Sequence, residues 1–106
     1  MSEFSYSIDR DGPHPVLFLS GDIDLAAVGD LETGLDTASA GDVDVLVLDM
    51  SEVTFIDSSG LRVLFAANDQ FRAVARSLEI RRPSAAVMRL LEITGTEAMM
   101  TIDSEP

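Results

Sequence analysis

The segment Val43-Asp44-Val45-Leu46-Val47-Leu48 leaves this chain few folds to choose from. It is rich in β-branched residues and nearly all apolar at its end. A strand with one wet face would alternate apolar and polar residues. A continuous apolar run is instead the pattern of a central parallel strand covered on both faces. The sequence on either side should then supply further strands and the helices that cover them.

The flanks read that way. Phe4, Tyr6 and Ile8 alternate with polar residues as a half-buried strand. Asp11-Gly12-Pro13 is a turn signal, and Val16-Leu17-Phe18-Leu19 follows as a second strand, so the two form a hairpin. Ser20-Gly21-Asp22 breaks the run. From Leu25 the period changes: Leu25, Val28, Leu31 and Leu35 mark one helical face, with Asp24 placed to cap it. Gly34 weakens that helix by about 1 kcal/mol relative to alanine, and Gly41 closes it.

The central strand runs into Asp49-Met50-Ser51-Glu52, then Val53-Thr54-Phe55-Ile56, then Asp57-Ser58-Ser59-Gly60. A long helix is expected next. Its apolar stripe is Leu61, Leu64, Phe65, Asn68, Phe71, Ala75 and Leu78, with Arg62, Asp69, Arg72 and Arg76 toward solvent. Leu78-Glu79-Ile80 alternates as a short strand. Pro83-Ser84 opens another helix, with Val87, Met88, Leu90 and Leu91 inward and Gly95 at its C-terminal cap. Ala98 to Ile102 reads as a last strand and Asp103 to Pro106 as a frayed tail. The order β-β-α-β-α-β-α-β predicts an α/β fold: a mixed, largely parallel sheet of about five strands with flanking helices. One domain over residues 1–106 is expected, with its core over about residues 4–102.

Charge narrows the partners. Residues 1–57 hold 13 acidic side chains against Arg10 alone, whereas residues 58–106 hold six acids and six arginines. The first half would repel nucleic-acid phosphates and anionic membranes. Its acidity serves solubility or steers the chain toward a basic protein partner. No apolar stretch approaches the roughly 20 residues that span a bilayer. The N-terminal MSEFSYSIDR lacks the basic and apolar segments of a signal peptide, so the cytoplasm is expected. Cysteine is absent, which excludes disulfides, thiol catalysis and thiolate metal sites.

Little in the chain suits catalysis. His14 is the only histidine and stands between two prolines in a predicted turn. Ile56 stands where a Gly-x-Ser-x-Gly nucleophile elbow around Ser58 needs glycine, which argues against a hydrolase using Ser58 or Ser59. The glycines are isolated, so no phosphate-binding loop is present. Asp22 and Asp24, like Asp42 and Asp44, are paired acids without the further oxygen ligands of a calcium loop. No enzyme, metal or cofactor is expected. Asp57-Ser58-Ser59-Gly60 joins an extended segment to a helix. Read locally, Asp57 or Ser58 caps the helix and Gly60 permits a close approach. The same geometry suits a phosphoserine: a phosphate at a helix start meets free N–H groups and the positive end of the dipole. It also adds about −1.5 to −2 charges beside Asp57.

Residues 43–64, VDVLVLDMSEVTFIDSSGLRVL, resemble the central segment of anti-sigma factor antagonists, the STAS-domain family. LSGDIDLAAVGDLETGL resembles the segment upstream, and PSAAVMRLLEITG the helix downstream. The resemblance implies partner switching. The unphosphorylated protein would bind an anti-sigma factor that is also a serine kinase, and so release a sigma factor. Phosphorylation would fall on Ser58, and a metal-dependent serine phosphatase would reverse it. Asp57, Gly60 and Leu61 would shape the docking surface, with Ser59 as a cap or minor site, and Asp22 and Asp24 near the kinase. ATP and magnesium would belong to the kinase. The alternative is a STAS interaction module in a signalling or lipid-transport assembly without phosphorylation. The sequence departs from the family at Ala26-Ala27-Val28-Gly29, at Ala75-Arg76-Ser77 and at Thr96.

Overall fold

A computed structural model describes residues 2–103. Five strands form one sheet in the order β1-β2-β3-β4-β5: β1 Ser5–Asp9, β2 Val16–Ile23, β3 Val45–Ile56, β4 Ser77–Arg81 and β5 Thr101–Asp103. β1 pairs antiparallel with β2, and every later pair is parallel. Three helices connect the parallel strands: α1 Val28–Ala38, α2 Ser58–Ala73 and α3 Ala85–Thr94.

The strand order advances in one direction, so right-handed crossovers place all three helices on one face of the sheet. One continuous core follows. Leu17, Leu19, Leu46, Leu48, Leu78 and Ile80 from the strands meet Leu31, Leu35, Leu61, Leu64, Phe71, Val87 and Leu91 from the helices. The opposite face carries Val16, Phe18, Val45 and Val47, which are half-buried and lie outside that core. The expectation that the central strand is covered on both faces is therefore corrected. Its apolar outer residues Val45 and Val47 pair with Ser77 and Glu79 of β4, and on the same face the Arg81 guanidinium sits 5.8 Å from the ring centroid of Phe18 in β2.

Local details also differ from the sequence reading. β2 does not break at Ser20-Gly21-Asp22 but continues to Ile23. Gly21 makes this possible: it has φ +88°, and a Cβ there would meet the Glu3 backbone. Leu25 begins a separate 3-10 turn, Leu25–Ala27, which shifts the helical phase and leaves Leu25 74% exposed. α1 ends at Ser39 and not at Gly41. Ala75 lies beyond α2, at φ 59°. A 3-10 turn takes Glu97–Met99, so β5 starts only at Thr101 and Asp103 belongs to it; the rest of the expected tail lies outside the described residues. α3 keeps its expected Gly95 cap, left-handed at φ 66°, and at its start Ser84 accepts from the Val87 N–H. No helix among the described residues is long and apolar enough to cross a membrane.

Candidate functional site

The Ser58 site forms where β3 hands over to α2. Asp57 has extended backbone, and its Oδ1 accepts from the N–H groups of Ser59 (2.9 Å) and Gly60 (3.3 Å). Asp57 is thus the helix cap, a role the sequence left open between Asp57, Ser58 and Ser59. Ser58 is the first residue of α2 and is exposed. The cap leaves its hydroxyl at the surface, at the positive end of a 16-residue helix.

Two contacts press this helix start against the end of β2. The Asp57 N–H donates to the Ile23 carbonyl at 3.2 Å. Gly60 is buried against Ile23 and Ile56, with no room for a Cβ. Leu61 is 5% exposed and belongs to the core. Gly60 and Leu61 therefore shape the surface around Ser58 from beneath and offer little of it themselves.

Asp22 and Asp24 lie at the end of β2. Asp22 is 9% exposed; its Oδ1 accepts from the Thr54 hydroxyl at 2.6 Å and its Oδ2 from the Ser2 N–H at 3.2 Å. Asp24 is half-buried and caps the 3-10 turn through the Ala27 N–H. With Glu3 and Asp30 the two line an acidic cleft. Sequence reasoning missed Thr54: a lone hydroxyl in a strand gives no local sign that its partner lies 32 residues away.

It also passed over Asp49, which is 1% exposed within β3. Its Oδ2 accepts from both Arg81 and Arg82, and its Oδ1 accepts from the Ser51 hydroxyl at 2.7 Å and the Ser51 N–H at 3.1 Å. Burial pushes this carboxyl up, but the hydrogen bonds from Ser51, Arg82 and Arg81 together outweigh it and hold the group below its ordinary value. The nearby Ser84 N–H donates to the Met50 carbonyl at 3.2 Å, so the start of α3 is tied to the same stretch of β3. His14 is exposed and far in sequence from these groups.

A sheet in this order, backed by three crossover helices and with a capped serine at the second, defines a STAS-type domain. The family model described as "Mlab, STAS domain" matches residues 6–101. The anti-sigma-B factor antagonist of Listeria monocytogenes is 31% identical over 94 residues, spanning 89% of this chain and 82% of the relative. The chain belongs to the STAS-domain family of anti-sigma factor antagonists. Two solved structures share the fold. An anti-sigma factor antagonist from Mycobacterium paratuberculosis has a TM-score of 0.84 at 22% identity, covering 97% of this chain and 87% of that one. The Bacillus cell fate determinant SpoIIAA in its phosphorylated form has a TM-score of 0.69 at 22% identity, covering 95% and 93%.

Proposed function

We propose that this chain is a partner switch governed by a phosphate on Ser58. The unphosphorylated form binds an anti-sigma factor that is also a serine kinase, and a sigma factor is released. The kinase then phosphorylates Ser58, binding is abolished, and a serine phosphatase restores the binding form. The setting is the bacterial cytoplasm, in a stress response. The chain itself binds and does not catalyse; ATP and its magnesium belong to the kinase.

The observation that carries this reading is the exposed Ser58 at the first position of α2, beside a cap made by Asp57 and not by Ser58. The hydroxyl is free for transfer, and the helix start can hold the added charge. A phosphate there stands next to Asp57 and the acidic cleft of Asp22 and Asp24. It would change the charge that a partner meets without dismantling the core. Asp57, Ser59 and Asp24 are the surface contacts; Gly60, Leu61 and the largely buried Asp22 set their position. The Listeria relative's name, and the phosphorylated form of SpoIIAA, support the same reading.

The test is incubation with the kinase and ATP, followed by mass spectrometry. Wild type should gain one phosphate on Ser58 and Ser58→Ala none; equal labelling of the two would defeat the proposal. The second reading is a STAS interaction module in a signalling or lipid-transport assembly, independent of phosphorylation. Binding that is indifferent to Ser58→Asp would select it.

A further inference from the structure

α3 is apolar on more than the side that faces the core. Val87 and Leu91, one turn apart, are buried. Ala86, Leu90 and Ile93 follow helical spacing on a neighbouring stripe, and Ile93 is 74% exposed. Across from them stands Phe55, 47% exposed although it lies within β3. An open groove of about 480 Å³ runs between, completed by Thr54, Ile56 and Arg89. A large aromatic and an isoleucine left in water on the two sides of one groove form an apolar patch with no partner among the described residues.

Two links join this groove to the Ser58 surface. Ile56, in its wall, is followed directly by the cap residue Asp57. Thr54, also in its wall, donates its hydroxyl to Asp22. Asp22 in turn lines the acidic cleft with Glu3, Asp24 and Asp30, a cleft with no basic side chain among the described residues. The apolar groove and the acidic cleft therefore meet at the Thr54–Asp22 hydrogen bond.

We infer that the groove between Phe55 and α3 is the anchor site of the protein that docks over Ser58. It takes an apolar side chain of that partner, while basic residues of the same partner face the acidic cleft. The inference rests on the reading of Ser58 given above. Charge argues for a basic partner over a second copy of this chain: at a net charge of −12, copies repel one another. The two halves of the surface do different work. Apolar burial supplies affinity that salt hardly changes, and the acids supply attraction that salt screens.

The experiment titrates the purified anti-sigma factor kinases of the source genome with wild type, Ser58→Asp, Ile93→Ser and Asp24→Asn, at low and high salt. Ile93→Ser should weaken binding at least about tenfold at both salts. Its thermal unfolding should match wild type, because the side chain is mostly in water. Asp24→Asn keeps a capping oxygen and should weaken binding chiefly at low salt. Wild-type affinity in Ile93→Ser, with Ser58→Asp still weakened, overturns the groove and leaves the Ser58 reading standing. Weakening by Ile93→Ser with none by Ser58→Asp overturns the Ser58 reading and this inference with it. A wild-type dimer in sedimentation that Ile93→Ser dissolves assigns the groove to a second copy instead.

Discussion

Ile23 at the end of β2 and Gly60 in the first turn of α2 are packed so closely that residue 60 has no room for a side chain. A Cβ there would overlap Ile23 Cγ2 and lie 3.2 Å from both the Ile23 carbonyl oxygen and Ile56 Cγ1. The glycine is needed for space and not for an unusual backbone angle. Gly60→Ala gains about 1 kcal/mol of helix propensity but overpacks the contact by about 1–3 kcal/mol. A net loss of about 1 kcal/mol is expected in urea unfolding. Adding Ile23→Ala should cost less than the sum of the two single changes, because the collision is gone. A Gly60→Ala protein more stable than wild type would contradict the contact.

The Asp57 cap separates into a hydrogen-bond part and a charge part. Asp57→Ala loses the bonds to the Ser59 and Gly60 N–H groups and should cost about 1 kcal/mol. Asp57→Asn keeps an accepting oxygen and should cost only a few tenths of that. Chemical denaturation of the two variants reads the difference. Equal losses would mean that charge at the helix start, and not the cap bond, holds it.

These relationships mark what was legible in the sequence. Element order, the hairpin, the cap at Gly95 and the helix start after Asp57 are written in neighbouring residues, and they stand in the structure; Asp24, expected to cap α1, caps the separate 3-10 turn before it. What failed depended on distant residues. Ser20-Gly21-Asp22 looked like a break because nothing local shows the chain near Ser2 bonding to Asp22 across the sheet edge. Asp49-Met50-Ser51-Glu52 gave no sign of being the middle of one 12-residue strand, since Asp49 is buried at the expense of arginines 32 and 33 residues away. Leu25 fits the apolar period by count, and only the 3-10 turn takes it out of phase. Coverage of β3 on one face follows from strand order, which composition does not encode. At the site, Asp57 and Ser58 were visible from spacing; Thr54 and the Phe55 groove were not.

The hydroxyl of Thr54 is the one side-chain donor to the Asp22 carboxylate among the described residues. Thr54→Val preserves shape and β-propensity but leaves that buried oxygen without its partner. A loss of about 1–3 kcal/mol is expected by urea unfolding. Thr54→Ser, which keeps the hydroxyl, should recover most of it. If valine is tolerated as well as serine, the hydrogen bond contributes nothing.

Asp49 gives the fold an acid limit. Its carboxyl titrates below the ordinary range when folded, because the bonds from Ser51, Arg82 and Arg81 outweigh its burial. A group whose folded value lies below its unfolded value stabilises the protein above the unfolded value, and the effect is lost as pH falls through the folded one. The loss should therefore come below about pH 4. Asp49→Asn removes the charge that both arginines share, and should cost about 3 kcal/mol at neutral pH while flattening the acid limb. Thermal melts of both proteins from pH 7 to pH 2 test this; parallel curves would show that other carboxylates set the limit.

Ser58 itself should be nearly silent in stability, as a switch residue must be if its modification is to leave the fold intact. It is exposed, it is not the cap, and it stands at the first helical position. Ser58→Ala should therefore change stability by less than about 0.5 kcal/mol. Ser58→Asp adds a negative charge at the positive end of α2, a gain of about 0.3–1 kcal/mol, set against repulsion of a few tenths from Asp57. The balance should again lie within about 0.5 kcal/mol of wild type by thermal and urea unfolding. A loss above about 1.4 kcal/mol in Ser58→Asp, tenfold in the unfolding equilibrium, would mean that charge at this position damages the domain. Any effect of a phosphate on partners would then be an effect of unfolding, and the electrostatic switch would fail on its own terms.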